Sequence, residues 1–193
     1  MEILGKIFGT TARVKIMRLF LLNKNKVFVN GDISTRSRVS PEGVRKEIRL
    51  LESIEFIKKR PNGYIFNQNF LYTKELENLL VSTEVLDKEA VATSFKKVGK
   101  LKLLVVSGIF IKDKDSRVDI LLVGDNLNKS KIEDSIRKME AEVGTEMTYA
   151  SFTTKDFIYR LAMYDKLVRD ILDFPHEVIF QAKELSTQSL IKT

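Results

Sequence analysis

The front of the chain alternates between helical and strand-like spacing of its apolar residues. Val14, Met17, Phe20 and Leu21 fall on one face of a helix that Thr10 or Thr11 can cap and that runs to about Leu22. Residues 23–26 break it, residues 27–29 are short and β-prone, and Asn30 or Asp32 can open a second short helix through about Arg36. Ser40 then stands as an N-cap before Pro41, whose missing N–H costs nothing at the first helical position, and Glu42 suits the helix dipole. Val44, Ile48 and Leu51 follow at i, i+4 and i+7, so they face inward and leave Arg45, Lys46 and Arg49 on or beside the outer face. Residues 56–60 and 64–66 are strand-like and are joined by Pro61-Asn62-Gly63, whose Asn-Gly pair signals a hairpin turn.

The rest of the chain reads as alternating helices and strands. Leu71, Leu76, Leu79, Leu80 and Leu86, with Thr73 as cap, predict a connecting helix over 70–86, and Ala90, Val91, Phe95 and Val98 continue a helical pattern to Gly99. Residues 103–111 and 118–123 are apolar enough for buried strands, with residues 112–116 as a polar connector. Ile132, Ile136, Met139 and Val143 share one face of a helix over 130–143 that ends at Gly144, and an alternating strand follows over 146–152. Thr153 or Thr154 can cap a helix through about Tyr164, which continues over 165–172 until Phe174-Pro175 stops it. Asp165, Asp170 and Asp173 are expected to face solvent or to pair with Lys166 and Arg169, and His176 to be a turn or interface residue.

Composition narrows the chemistry. With no cysteine and a single histidine, disulfides, thiolate zinc sites, cysteine nucleophiles and most histidine-dependent catalysis are excluded. No apolar run approaches the roughly 20 residues of a membrane helix, so neither a membrane nor a secretory route is expected and the cytoplasm is the expected compartment. The net charge of +7 is uneven: residues 1–80 hold 15 Lys and Arg against 8 Asp and Glu, whereas residues 81–193 hold 18 of each. A surplus confined to the front half points to a polyanionic partner for that half.

The order helix, helix, turn, helix, basic hairpin resembles the winged helix-turn-helix DNA-binding domains of bacterial and archaeal transcription regulators. The likeness covers roughly residues 8–70 and is carried by Ala12-Arg13-Val14-Lys15-Ile16-Met17-Arg18-Leu19-Phe20 and by the run from Val44 to Ile57. It implies a recognition helix in the major groove and a wing along phosphate or minor groove. On this sequence that assigns Arg45, Lys46 and Arg49 to base edges and nearby phosphates, Lys58, Lys59, Arg60 and Asn62 to the wing, and Arg36, Arg38 and Ser40 to backbone contacts.

Over roughly 84–180 the chain resembles the minimal nucleotidyltransferases of the DNA polymerase beta-like superfamily. The carriers are Val106-Ser107-Gly108-Ile109-Phe110, the run from Ser116 to Gly124, and Gly144-Thr145-Glu146-Met147-Thr148-Tyr149. In active relatives the first is a Gly-Ser turn that cradles phosphate, the second has paired aspartates for a divalent cation, and the third strand usually supplies another carboxylate. This chain departs at each place. Ser107-Gly108 reverses the order, Arg117 stands where the first acid belongs and would repel a metal, and beyond Asp119 the third strand offers only Glu146.

Together these readings give an α/β (α+β) fold: a winged helix-turn-helix domain over 1–80, and over 81–193 a nucleotidyltransferase-like mixed sheet flanked by helices, ending in a short tail. The expected function is a DNA-binding transcriptional regulator whose second domain has lost transfer chemistry and serves assembly, ligand sensing or partner binding. No catalytic residue, no metal and no cofactor is expected. Expected partners are double-stranded DNA, a second copy through the connecting helix, and a nucleotide or protein ligand of the second domain. The rivals are an active nucleotidyltransferase modifying a protein or RNA with Asp119 and Glu146, and an antitoxin-like protein-binding module.

Overall fold

A computed structural model describes residues 2–81, 88–111, 113 and 115–185. The fold is mixed helix and sheet, with a small antiparallel hairpin and a separate four-stranded mixed sheet. Compactness divides the chain into two units, Met1–Val85 with Arg137–Glu146, and Leu86–Ile136 with Met147–Thr193. Among the described residues no helix is long and apolar enough to cross a membrane.

The first unit opens with α1 (Glu2–Ile7), a short helix that carries no periodic stripe and that the apolar pattern does not predict. In α2 (Thr11–Leu22) the cap is Thr10, whose hydroxyl oxygen accepts from Arg13 N at 3.0 Å. Next come α3 (Asn30–Ser37) and α4 (Pro41–Ser53), the latter capped by Ser40 as its sequence implies. Val14, Phe20, Ile33, Val44, Ile48 and Leu51 form one buried core with Phe28, Phe56 and Phe66. Edge-to-face rings, Phe20 on Phe28 at 5.5 Å and Phe56 on Phe66 at 5.2 Å, lock the helices to the hairpin.

That hairpin is β1 (Ile57–Arg60) and β2 (Gly63–Phe66), paired from Ile57↔Phe66 to Arg60↔Gly63. Its loop is therefore Pro61-Asn62, and Gly63 is already a strand residue. Glycine is required there for two reasons: φ is +137°, and a Cβ would lie 2.4 Å from Phe28 O, across the bridge that Phe28 makes to Tyr64. The predicted connecting helix is shorter than its leucine pattern suggests. It is α5 (Thr73–Leu80), with Tyr72 rather than Thr73 at the cap, and Leu86 lies outside the described residues.

Arg18 is buried within this unit, at 2% exposure. Its Nε donates to Leu80 O at 2.6 Å and its Nη1 to Glu142 O at 3.1 Å, and burial holds its pKa below the ordinary arginine value. Backbone carbonyls thus take up the guanidinium's donors, which a buried cation requires. Lys15 to Glu142 at 2.7 Å and Asn23 Nδ2 to Gly144 O at 3.0 Å hold the same segment, Arg137–Glu146, within the first unit.

The second unit contains α6 (Lys88–Phe95) and a sheet of order β5-β4-β3-β6. Strand β3 (Lys100–Val106) stops earlier than predicted, because Ser107 and Gly108 turn the chain into one turn of 3-10 helix. Antiparallel to it runs β4 (Ile120–Asp125), and α7 (Lys129–Val143) links β4 to the parallel β5 (Tyr149–Phe152). Residues 146–148, expected in that strand, precede it.

Helix α8 (Thr154–Ala162) has its cap at Thr153, which accepts from Asp156 N at 3.1 Å. The predicted continuation breaks at Tyr164, whose φ is +55°, and a new helix, α9 (Lys166–Asp173), starts at Asp165. The last strand, β6 (Glu177–Gln181), adds to β3 where the sequence shows only a tail. Leu103, Val105, Leu121 and Val123 pack with Phe157, Val168 and Ile171 as the core of this unit.

Candidate nucleic-acid interface and the Asp119 corner

On α4 the inward stripe of Val44, Ile48 and Leu51 turns Arg45, Lys46 and Arg49 to solvent, and all three are exposed. Lys58, Lys59, Arg60 and Asn62 are exposed along β1 and its turn, where only Ile57 reaches the core. None of these six cations is held in an ion pair with another described residue. Some cations elsewhere are engaged, Arg13 with Glu47 at 2.7 Å, Lys24 with Glu77 at 2.6 Å, Arg160 with Asp165 at 3.0 Å and Arg169 with Asp173 at 2.9 Å. Others such as Lys96, Lys97 and Lys155 are exposed with no ion pair to a described residue, so what sets the six apart is their grouping on one helix and one hairpin strand. The buried Glu47, which no sequence signal marks, faces inward on α4. It accepts from both Thr10 Oγ1 at 2.9 Å and Arg13 Nε, so it fixes α4 against the start of α2 without touching the outer cations.

The three remaining residues assigned to DNA backbone contacts have structural work. Ser40 Oγ accepts from Gly43 N at 3.2 Å as the α4 cap. Arg38 adopts a left-handed conformation, φ +52°, at the end of α3, and so forms the tight turn into α4. Arg36 lies 2.5 Å from Glu146 Oε1 and 5.7 Å from the Phe28 ring centroid. Hydrogen bonding to Arg36 is the main cause that holds the Glu146 carboxyl below the usual glutamate range, assisted by the charges of Arg36 and Lys26. Glu146 is therefore engaged with Arg36 within the first unit.

Asp119 precedes β4 rather than standing within it, and it is nearly buried, at 9% exposure. Its Oδ1 accepts from Ile109 N at 2.9 Å, and its Oδ2 accepts from Thr148 N at 2.8 Å and Thr148 Oγ1 at 2.9 Å. The backbone repeats the pattern: Ser107 N donates to Asp119 O at 2.9 Å, Asp119 N to Thr148 O at 2.8 Å, and Ser107 Oγ to Val118 O at 2.5 Å. A Cβ on Gly108, whose φ is +56°, would lie 2.2 Å from Asp119 Oδ1, so this glycine lets the carboxylate close onto the turn. The arrangement is a knot that ties the end of β3 and the approach to β5 onto the approach to β4.

Arg117 is half-exposed and pairs with Asp170 of α9. Its guanidinium is thus committed to that helix, where the sequence suggested a cation facing a metal position, and Asp170 is not a partner of Lys166 or Arg169. Asp113 accepts from Asp115 N at 3.0 Å and Ser116 Oγ at 2.9 Å within its own turn. Among the described residues no three His, Cys, Asp or Glu side chains are grouped to hold a metal ion. His176 Nδ1 lies 2.8 Å from Phe174 O, in the turn between α9 and β6. No protein-family model matches the chain, and none of the curated proteins or solved structures matches it.

Proposed function

We propose that the chain is a cytoplasmic, DNA-binding transcriptional regulator whose first unit is a winged helix-turn-helix domain. The observation that carries this reading is the gathering of six exposed cations, Arg45, Lys46, Arg49, Lys58, Lys59 and Arg60, on the outer side of α4 and along β1, with no ion pair to another described residue. Such a surface gains most from a polyanion, since each phosphate neutralised releases condensed counterions. A helix in the major groove flanked by a hairpin on the backbone would use these positions, with the α4 residues toward base edges. Anisotropy titration of a labelled duplex over a salt series tests this, and selection from a random duplex pool then reports the site. Binding that weakens steeply with salt is expected; absence of duplex binding at low salt would sink the proposal.

The second unit fits a nucleotidyltransferase-like fold in which the metal strand has become structural. What supports this is the occupied state of Asp119, whose two oxygens already accept three bonds from Ile109 and Thr148. A carboxylate so saturated has little left for a cation that wants several oxygens in fixed geometry. Incubation with labelled nucleoside triphosphate and magnesium or manganese should give no transfer. Transfer that Asp119→Asn abolishes, in a variant still folded by circular dichroism, would replace this part of the reading.

A further inference from the structure

The first unit carries an apolar groove of about 380 Å³, formed by α1, the last turns of α4 and the approach to α5. Ile7, Leu50, Ile54 and Tyr72 stand at its rim, and Met17 and Phe70 lie in its floor. Ile3 sits one helical turn from Ile7 on α1 and extends the same surface. These five rim and flanking side chains are between 37% and 75% exposed. At roughly 200 Å² for a large side chain fully open to water, they leave on the order of 600 Å² of apolar surface uncovered, which suffices for the apolar share of the roughly 800 Å² that each partner of a stable pair contributes. That lies at the upper end of the patches monomers leave open.

We infer that a second copy of this chain docks on this groove and that the protein is a two-fold dimer through it. The occupant follows from the chemistry and shape. Among the described residues the one charged side chain in the lining is Arg13, and it is already taken by Glu47 and by Phe8 O, so the lining favours an apolar occupant over a charged one. Exposed residues (Ile3, Ile7, Tyr72) and a hollow lie side by side on one surface, as a self-complementary contact requires, because each copy must offer both knob and hole. Leu50 lies one helical turn beyond Lys46 on α4, so the groove begins where the cationic stretch ends. The inference stands whether or not those cations meet DNA.

Sedimentation equilibrium of the full chain tests it, alongside Ile7→Glu and Tyr72→Glu. Both residues are well exposed, at 66% and 58%, so neither change should disturb the monomer's core, and circular dichroism with a melting curve checks this. The wild type should sediment as a dimer. Each variant should weaken the pair by about a hundredfold or more, since docking would bury an unpaired carboxylate. A wild type that is monomeric at its highest soluble concentration overturns the inference, as does a dimer that both variants leave untouched. Monomers that lose stability on substitution would show that a segment of the same chain fills the groove, and this too would overturn it.

Discussion

On α4 and β1 six cations stand exposed with no carboxylate partner among the described residues, whereas at the turn after β3 one carboxylate has both oxygens filled by N–H and O–H groups. Each region was singled out in the sequence for its charge, yet their polar groups have opposite standing. A buried group must be satisfied from within, and once Asp119 is satisfied it becomes part of the framework. An exposed cation without an internal partner is solvated by water alone and can exchange that water for an external anion at little cost. Charge alone therefore does not mark a site; whether the fold has already committed it, and whether like charges are gathered on one element, must be asked as well.

The strongest way to break this contrast is to treat Asp119 as framework. Asp119→Ala strands the N–H groups of Ile109 and Thr148, and about 2–4 kcal/mol of stability should be lost. Asp119→Asn keeps the shape but turns an NH2 group toward at least one N–H donor, so it should fall between the alanine variant and the wild type. Urea unfolding with unchanged slope measures both. An alanine variant as stable as the wild type would remove the knot from the account and reopen Asp119 as a free ligand.

Duplex affinity sharpens the other side. Arg45→Ala and Arg49→Ala should each weaken a selected site by about 1–3 kcal/mol if they read bases, with the melting temperature unchanged. Lys59→Ala should act more weakly and equally on all sequences, and should lower the slope of log affinity against log salt by about 0.9, the signature of one lost phosphate contact. Equal loss from all three, without any sequence dependence, would place α4 on the backbone and not on base edges.

The sequence makes some of this contrast readable and hides the rest, for a physical reason. The caps Thr10, Ser40 and Thr153 and the inward stripe of α4 depend on residues within a turn or two, so they are legible, and with them the cationic outer face. Strand β6 is not legible, because its order comes from pairing with β3 across more than seventy residues, as at Leu103↔Gln181. The fate of Asp119 is hidden for the same cause: its partners lie 10 and 29 residues away. Even the early stop of β3 follows from the Gly108 turn closing on that carboxylate.

Arg36 gives the smallest effect and the finest test, because it was assigned to DNA by position and the fold has engaged it with Glu146. Arg36→Ala should leave duplex affinity within twofold, unlike its neighbours on α4. Its effect on folding should be under about 1 kcal/mol, since Glu146 remains 69% exposed and solvent screens the pair. The pH dependence has a defined sign. Arg36 lowers the folded pKa of Glu146, so the unfolded chain binds the proton more readily and the pair's contribution is complete only above the unfolded value of about 4.3. As pH falls through the lower folded value that contribution disappears, and the stability curves of wild type and Arg36→Ala should converge in acid and separate above about pH 5. Curves that stay parallel throughout would mean that Glu146 is not the group Arg36 serves, and a large loss of DNA binding would return Arg36 to the uncommitted set.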